Sequence, residues 1–131
     1  MTYKKSFYNR LKYAPFKFDC QDGEVPAYKH INPDGSEGGW VAETALVEDT
    51  CYVGPNAQVF EYASVTGTVQ LLEDSRVCEF AQLTDNVIVD DFSMVCGNAK
   101  LSGNAYIGGN SIIAGDTKVG GYREIFSEIK E

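Results

Sequence analysis

Aliphatic residues recur at every sixth position of the chain from Val41 to Val119 without a miss. Two positions before each of them, from Ala45 to Thr117, stands a small or β-branched residue. A helix would place its apolar residues at intervals of three and four, and a simple half-buried strand would place them at intervals of two. An unbroken interval of six therefore predicts a short strand followed by a turn, used repeatedly along the chain.

Residues 18 apart match one another better than residues six apart. Thr66, Thr84 and Ser102 form one such column. Other columns pair Tyr62 with Phe80, Glu61 with Glu79, and Cys78 with Cys96. Such like-on-like columns are expected where parallel strands stack in register at a spacing of about 4.8 Å. Three six-residue units per coil then predict a three-walled tube of about four coils between residues 41 and 119.

The repeat resembles the hexapeptide repeat of left-handed β-helices, in which the aliphatic residue fills a triangular prism and the small residue lies at a corner. The segment AYKHINPDGSEGGWVAETALVEDTCYVGPNAQVF, with its G-G-W-V motif and the G-N-A motifs that follow, is similar to the YdcK-like hexapeptide proteins of bacteria and their phages. The similarity covers residues 27–119. It implies a fold and little about activity.

The two flanks are predicted to close the ends of the tube, because an open solenoid end exposes unpaired backbone and apolar lumen. Residues 1–40, basic and aromatic, are expected to form an N-terminal cap with Trp40 as a plug. Residues 120–131 place Ile125, Phe126 and Ile129 at helical spacing and predict a short amphipathic α-helix. The predicted fold is thus an all-β solenoid, a single-stranded left-handed parallel β-helix over 41–119 with these two caps.

The charge distribution predicts the kind of partner. The net charge is -8, yet residues 1–18 carry five basic residues and no acid, so the rest of the chain stands at about -13. Such a body repels nucleic-acid phosphates and attracts basic proteins. No apolar run is long enough for a secretory signal or a membrane span, which predicts a cytoplasmic protein with no membrane contact. Four cysteines without a C-x-x-C pair are expected to be reduced.

This sequence contains few candidate catalytic residues. The single histidine, His30, precedes the first coil, whereas hexapeptide acyltransferases use a histidine as general base and zinc enzymes of this architecture use three. We therefore expect no catalytic residue and no cofactor, with an acyltransferase kept as an alternative. Glu73, Asp74, Asp90 and Asp91 fall at one corner, but without a regular D-x-D loop they are expected to be solvated, and no metal is predicted.

Apolar side chains on the outside of the tube predict that something covers them. Either the segment 1–38 folds over them or a second subunit does, so a homo-oligomer is one of two possibilities. The residues expected at this oligomer or cap contact are Phe60, Met94, Ile112, Tyr52, Ile88 and Tyr106.

The sequence favours a non-enzymatic protein-binding module that acts through acids and aromatic anchors on its outer surface. The similarity to phage proteins suggests an inhibitor of a basic, nucleic-acid-handling host defence protein. A structural or polymer-forming solenoid is the other alternative. The predicted partner-binding residues are Glu61, Tyr62, Glu73, Asp74, Glu79, Phe80, Asp85, Asp90, Asp91 and Phe92.

Overall fold

Short β-strands joined by tight turns form the regular structure of this chain. The computed structural model describes residues 13–19, 21–126 and 129–130, and within these ranges it contains strands and turns but no helix. Strand β1 spans Ala14–Phe16, β2 spans Val25–Ile31 and β3 spans Glu37–Ala42. The strands that follow, two or three residues long, are Leu46–Val47 (β4), Tyr52–Val53 (β5), Gln58–Val59 (β6), Ser64–Val65 (β7), Gln70–Leu71 (β8), Arg76–Val77 (β9), Gln82–Leu83 (β10), Ile88–Val89 (β11), Met94–Val95 (β12), Lys100–Leu101 (β13), Tyr106–Ile107 (β14), Ile112–Ala114 (β15), Lys118–Val119 (β16), Glu124–Ile125 (β17) and Ile129–Lys130 (β18).

Every third strand joins the same sheet, which produces three parallel walls. Wall A consists of β3, β6, β9, β12, β15 and β18, wall B of β4, β7, β10, β13 and β16, and wall C of β5, β8, β11, β14 and β17. In register, Leu83 pairs with Leu101 and Val77 with Val95, so neighbours are 18 residues apart. The chain is therefore a β-solenoid of about five turns. We call the turns between the walls the AB, BC and CA corners, in chain order.

One aliphatic side chain from each strand fills the lumen. The predicted inward residues from Val41 to Val119 are at most 3% exposed, and Ile125 extends the series at 4%. The small residues that precede them line the same core, from Ala45 to Thr117. The period-six prediction of a stacked solenoid is confirmed at the level of which residues are buried and which strands are adjacent.

The predicted C-terminal helix is wrong. Ile125 lies in β17, which pairs with β14, and Ile129 pairs with Ile113 of β15. Ile125 stands six residues after Val119 and continues the hexad pattern, whereas Ile129 follows after four residues and pairs at a separation of 16 from Ile113. These residues form strands and not a helix because the edges of β14 and β15 offer backbone hydrogen-bond partners, which a helix would leave unpaired. This continuation also raises the number of turns from the predicted four to about five.

The two N-terminal strands extend the sheet of wall A beyond β3, on the side away from β6. β1 pairs antiparallel with β2, and β2 pairs antiparallel with β3. Trp40 does not plug the lumen as expected, because it alternates with the inward Val41 and so faces outward. Its ring stacks on that of Phe16 at 4.7 Å between centroids, and the Lys29 ammonium lies 5.5 Å from its ring centre.

Two polar side chains complete the first edge of wall C. The Asn32 carboxamide accepts a hydrogen bond from Val53 N at 2.8 Å and donates one to Val53 O at 3.2 Å, as a neighbouring strand would. His30 Nε2 donates to Cys51 O at 2.7 Å, and the His30 side chain is 1% exposed. A Cβ at Gly38 would stand 2.2 Å from Val53 O, so only glycine fits there. The edge is thereby satisfied without an added strand.

Because Leu83 fills the lumen and Gln82 faces outward, we expect substitutions at these two positions of β10 to differ sharply in their effect on the free energy of unfolding. Leu83→Ala should lower the free energy of unfolding by about 2–5 kcal/mol, because it opens a cavity in a packed core. Gln82→Ala, on the outer side of the same strand, should change it by no more than about 0.5 kcal/mol. Urea unfolding followed by far-UV circular dichroism measures both. Equal midpoints for the two variants would contradict the inward position of Leu83.

Candidate functional site

The chain covers part of its own apolar outer face. Phe18 is fully buried and stacks on Phe60 at 5.0 Å between ring centroids. Arg76 Nη1, on wall A, donates a hydrogen bond to Asp19 Oδ2 at 3.0 Å. Met94 packs at the border of this cluster. The segment around β1 is thus the cover over the first coils of wall A.

Further along, the other predicted contact residues lie outside this cover. Ile112 on wall A is 36% exposed. Tyr52, Ile88 and Tyr106 are half-buried on the outer side of wall C, where Ile88 and Tyr106 pair in register. Tyr106 Oη donates to Asp90 Oδ2 at 2.9 Å, and this hydrogen bond raises the pKa of Tyr106 to about 12, since the bond favours the protonated phenol.

The ten predicted partner-binding residues lie along different corners of the solenoid and do not form one patch. The AB corner carries Glu61, Tyr62, Glu79 and Phe80. The BC corner carries Asp85. The CA corner carries Glu73, Asp74, Asp91 and Phe92, with Asp90 directly after β11.

Five of these acids adopt a left-handed backbone conformation. Their φ angles are between 54° and 60°, and glycine occupies the equivalent corner positions in other coils, for example Gly97 and Gly103. A residue with a side chain pays roughly 1–2 kcal/mol for this conformation. The acids concerned are Glu61, Glu73, Glu79, Asp85 and Asp91.

Four of the five use their carboxylates to bind the next coil. Each accepts a hydrogen bond from the backbone N–H of the residue 18 positions later, at the same corner. The bonds run from Glu79 N to Glu61 Oε1 at 3.0 Å, from Gly97 N to Glu79 Oε1 at 2.7 Å, from Gly103 N to Asp85 Oδ2 at 2.9 Å and from Gly109 N to Asp91 Oδ2 at 2.7 Å. Hydrogen bonds to a charged acceptor are stronger than neutral ones, which offsets the backbone strain.

These coil-to-coil bonds were not predicted from the sequence, from which the acids were expected to be partner-binding surface charges. A signal exists: an acid stands where the repeat elsewhere has glycine, and a glycine or a second acid stands 18 residues later. Glu73 departs from the rule, because Asp91 N donates instead to Asp90 Oδ1 at 2.8 Å. The acids at the corners are therefore structural groups and surface charges at once.

The AB corner combines a parallel pair of rings with fixed carboxylates. The rings of Tyr62 and Phe80 are stacked at 5.4 Å between centroids with 10° between planes. They are 61% and 57% exposed. Phe92, at the CA corner, is 60% exposed. Glu61 and Glu79 precede Tyr62 and Phe80 directly, so two rings and two oriented carboxylates lie within two coils of one edge.

The described cysteines, Cys51, Cys78 and Cys96, form no disulfide and lie among apolar side chains. Burial raises the pKa of Cys51 to about 11. The hydrogen bond with Cys96, together with burial, raises the pKa of Cys78. Both thiols are therefore protonated at neutral pH, and a protonated thiol is a poor nucleophile and metal ligand.

Neither a metal centre nor a known relative defines the site. Within residues 13–19, 21–126 and 129–130, no group of three or more His, Cys, Asp or Glu side chains could hold a metal ion. The same part of the chain contains no helix long and apolar enough to cross a membrane. Comparisons with protein-family models, with curated proteins and with solved structures found no match.

The carboxylate bond at the AB corner predicts an order of stability among variants of Glu79. Glu79→Ala should lower the free energy of unfolding by about 1 kcal/mol, because it loses the bond to Gly97 N and keeps the left-handed strain. Glu79→Gly loses the same bond but relieves the strain, so it should unfold at higher urea than Glu79→Ala. Glu79→Gln keeps an acceptor oxygen and should stay close to the parent protein. An alanine variant as stable as the parent would contradict this role.

Proposed function

We propose that this protein is a non-enzymatic binding module that recognises an arginine-bearing segment of a basic protein along the AB corner. The observation that supports it is the exposed, parallel stack of Tyr62 and Phe80, with Glu61 and Glu79 directly before them in the chain and held by backbone N–H groups. Aromatic rings and oppositely charged groups in a fixed arrangement are typical of the anchors that dominate protein interfaces.

The carboxylates are preorganised for this task. Backbone N–H groups hold one oxygen of Glu61 and one oxygen of Glu79, which fixes the orientation of each side chain. A carboxylate has about four acceptor positions, so capacity remains for an incoming donor. Because the corner is already ordered, binding costs less conformational entropy than it would with free glutamates.

Arginine fits this corner better than lysine does. A guanidinium group is planar, so it can stack on the ring of Tyr62 or Phe80 while its N–H fork pairs with a carboxylate. A lysine ammonium supplies charge without either feature. The acids of the BC and CA corners, Asp85 and Glu73 among them, add long-range attraction for a basic partner and repel nucleic acid.

The remaining expectations belong to the same proposal. They are a left-handed coil, membership of the YdcK-like hexapeptide group, a cytoplasmic location, and an inhibitor of a basic host defence protein as the biological form. Ile112, exposed beyond the cover of wall A, is the residue around which a homo-oligomer would form. The acyltransferase alternative has no support in the geometry, since His30 is buried and bonded to Cys51 O.

A designed peptide tests the proposal without knowledge of the natural partner. We expect a peptide of four Arg-Gly-Gly units to bind at least about five times more tightly than its lysine counterpart of equal charge, as measured by fluorescence anisotropy in 50 mM and 300 mM salt. Phe80→Leu combined with Tyr62→Leu should abolish this preference for arginine. Added salt should weaken the binding of both peptides.

Variants of the CA corner provide the matched control. Phe92→Leu removes an equally exposed ring and Asp74→Asn an acid, so together they should leave the arginine preference intact. Equal affinity for the two peptides, or an arginine preference lost in the CA variant and kept in the AB variant, would refute the AB corner as the recognition site.

A further inference from the structure

A groove on wall B starts directly beside the Tyr62–Phe80 stack. Its volume is about 530 Å³, which is in the range of pockets that hold small molecules. Its lining combines one aromatic ring, two amides, two lysines and one acid. The residues are Phe80, Gln82, Asn98, Lys100, Asp116 and Lys118.

The aromatic stack ends at this groove. Tyr62 stacks on Phe80, but the position 18 residues after Phe80 is Asn98, which has no ring. Phe80 borders the groove and is 57% exposed. A flat ring placed above Asn98 would continue the stack by one coil, and stacking on an aromatic side chain accepts the flat face of any nucleobase.

Two lysines lie side by side on wall B, along one side of the groove. Lys100 and Lys118 pair in register on neighbouring parallel strands, with their side chains on the same outer face and both exposed. Like charges directly opposite one another repel. Among the ion pairs of the described residues, neither lysine takes part. An anionic group between the two ammonium groups would remove this repulsion.

The remaining polar groups favour a ligand with N–H donors beside its flat ring. Asp116 can only accept hydrogen bonds when ionised, and Asn98 can both donate and accept. Asp116 stands at the AB corner and the two lysines stand on wall B, so a phosphate must lie over the wall and not over the corner. A guanine base offers two adjacent N–H groups on one edge, which suit a carboxylate acceptor.

We propose that this groove binds a nucleoside monophosphate of the guanine type, with the base on Phe80 and the phosphate between Lys100 and Lys118. A single nucleotide fits better than a nucleic-acid strand, because the net charge of -8 repels a polyanion along the rest of the body. The proposal does not depend on recognition of arginine at the AB corner, with which it shares Phe80.

Isothermal titration calorimetry with three probes tests both halves of the ligand. GMP should bind at least about five times more tightly than guanosine, which lacks the phosphate, and than ribose 5-phosphate, which lacks the base. Equal affinity for GMP and ribose 5-phosphate would overturn base stacking. Absence of GMP binding, or tighter binding of a guanine-containing oligonucleotide than of GMP, would overturn the proposal as a whole.

Matched variants locate the site. Lys100→Gln combined with Lys118→Gln should reduce GMP affinity at least about fivefold and leave guanosine binding unchanged, while Phe80→Leu should weaken both. Lys29→Gln and Phe92→Leu remove a lysine and a ring elsewhere and should change neither. Unchanged GMP affinity in the double lysine variant would refute the site. Glu61→Gln tests the arginine site separately, because this side chain does not line the groove.

Discussion

Hydrogen bonds between backbone groups of successive coils hold every other feature of this protein in place. Gln82 N donates to Ala99 O and Thr84 N to Leu101 O, and the same offset recurs from coil to coil. Because the register is fixed at 18 residues, each aliphatic side chain falls on its counterpart and the lumen fills with hydrocarbon. The corners stack by the same rule. A carboxylate at one corner therefore meets an amide of the next, and a ring meets a ring.

The sequence was most informative where a residue's role follows from its position in the repeat. Leu83 and Leu101 were expected on one wall, and they pair there. The pattern was ambiguous where two periods share the same residues. Ile125 satisfies both a helix and a continuing hexad, whereas Ile129 has the helical spacing alone, and the choice depends on the free edges of β14 and β15, which a local pattern does not show. The prediction that Trp40 plugs the lumen was wrong for a related reason. Val41 points inward, so the side chain of Trp40, next to it in the strand, points outward.

The candidate site was visible from the sequence only in part. The columns of Tyr62 with Phe80 and of Glu61 with Glu79 are apparent in the sequence, and the structure stacks the two rings. The left-handed backbone of Glu79 was not predicted, because glycine and glutamate have no obvious similarity until the corner conformation is known. The groove beside Phe80 was also missed. Its lining comes from three successive coils, so it exists only once the register is fixed.

The most direct test of this structure is the scalar coupling that NMR detects across a hydrogen bond. A coupling between the amide nitrogen of Gln82 and the carbonyl carbon of Ala99 is expected, because these groups are bonded at 2.9 Å in adjacent coils of wall B. The amide of Gln82 should also exchange slowly with solvent. Coupling of this amide to a different carbonyl, or exchange at the rate of an unfolded chain, would contradict the stacking register from which the core, the corners and both proposed sites follow.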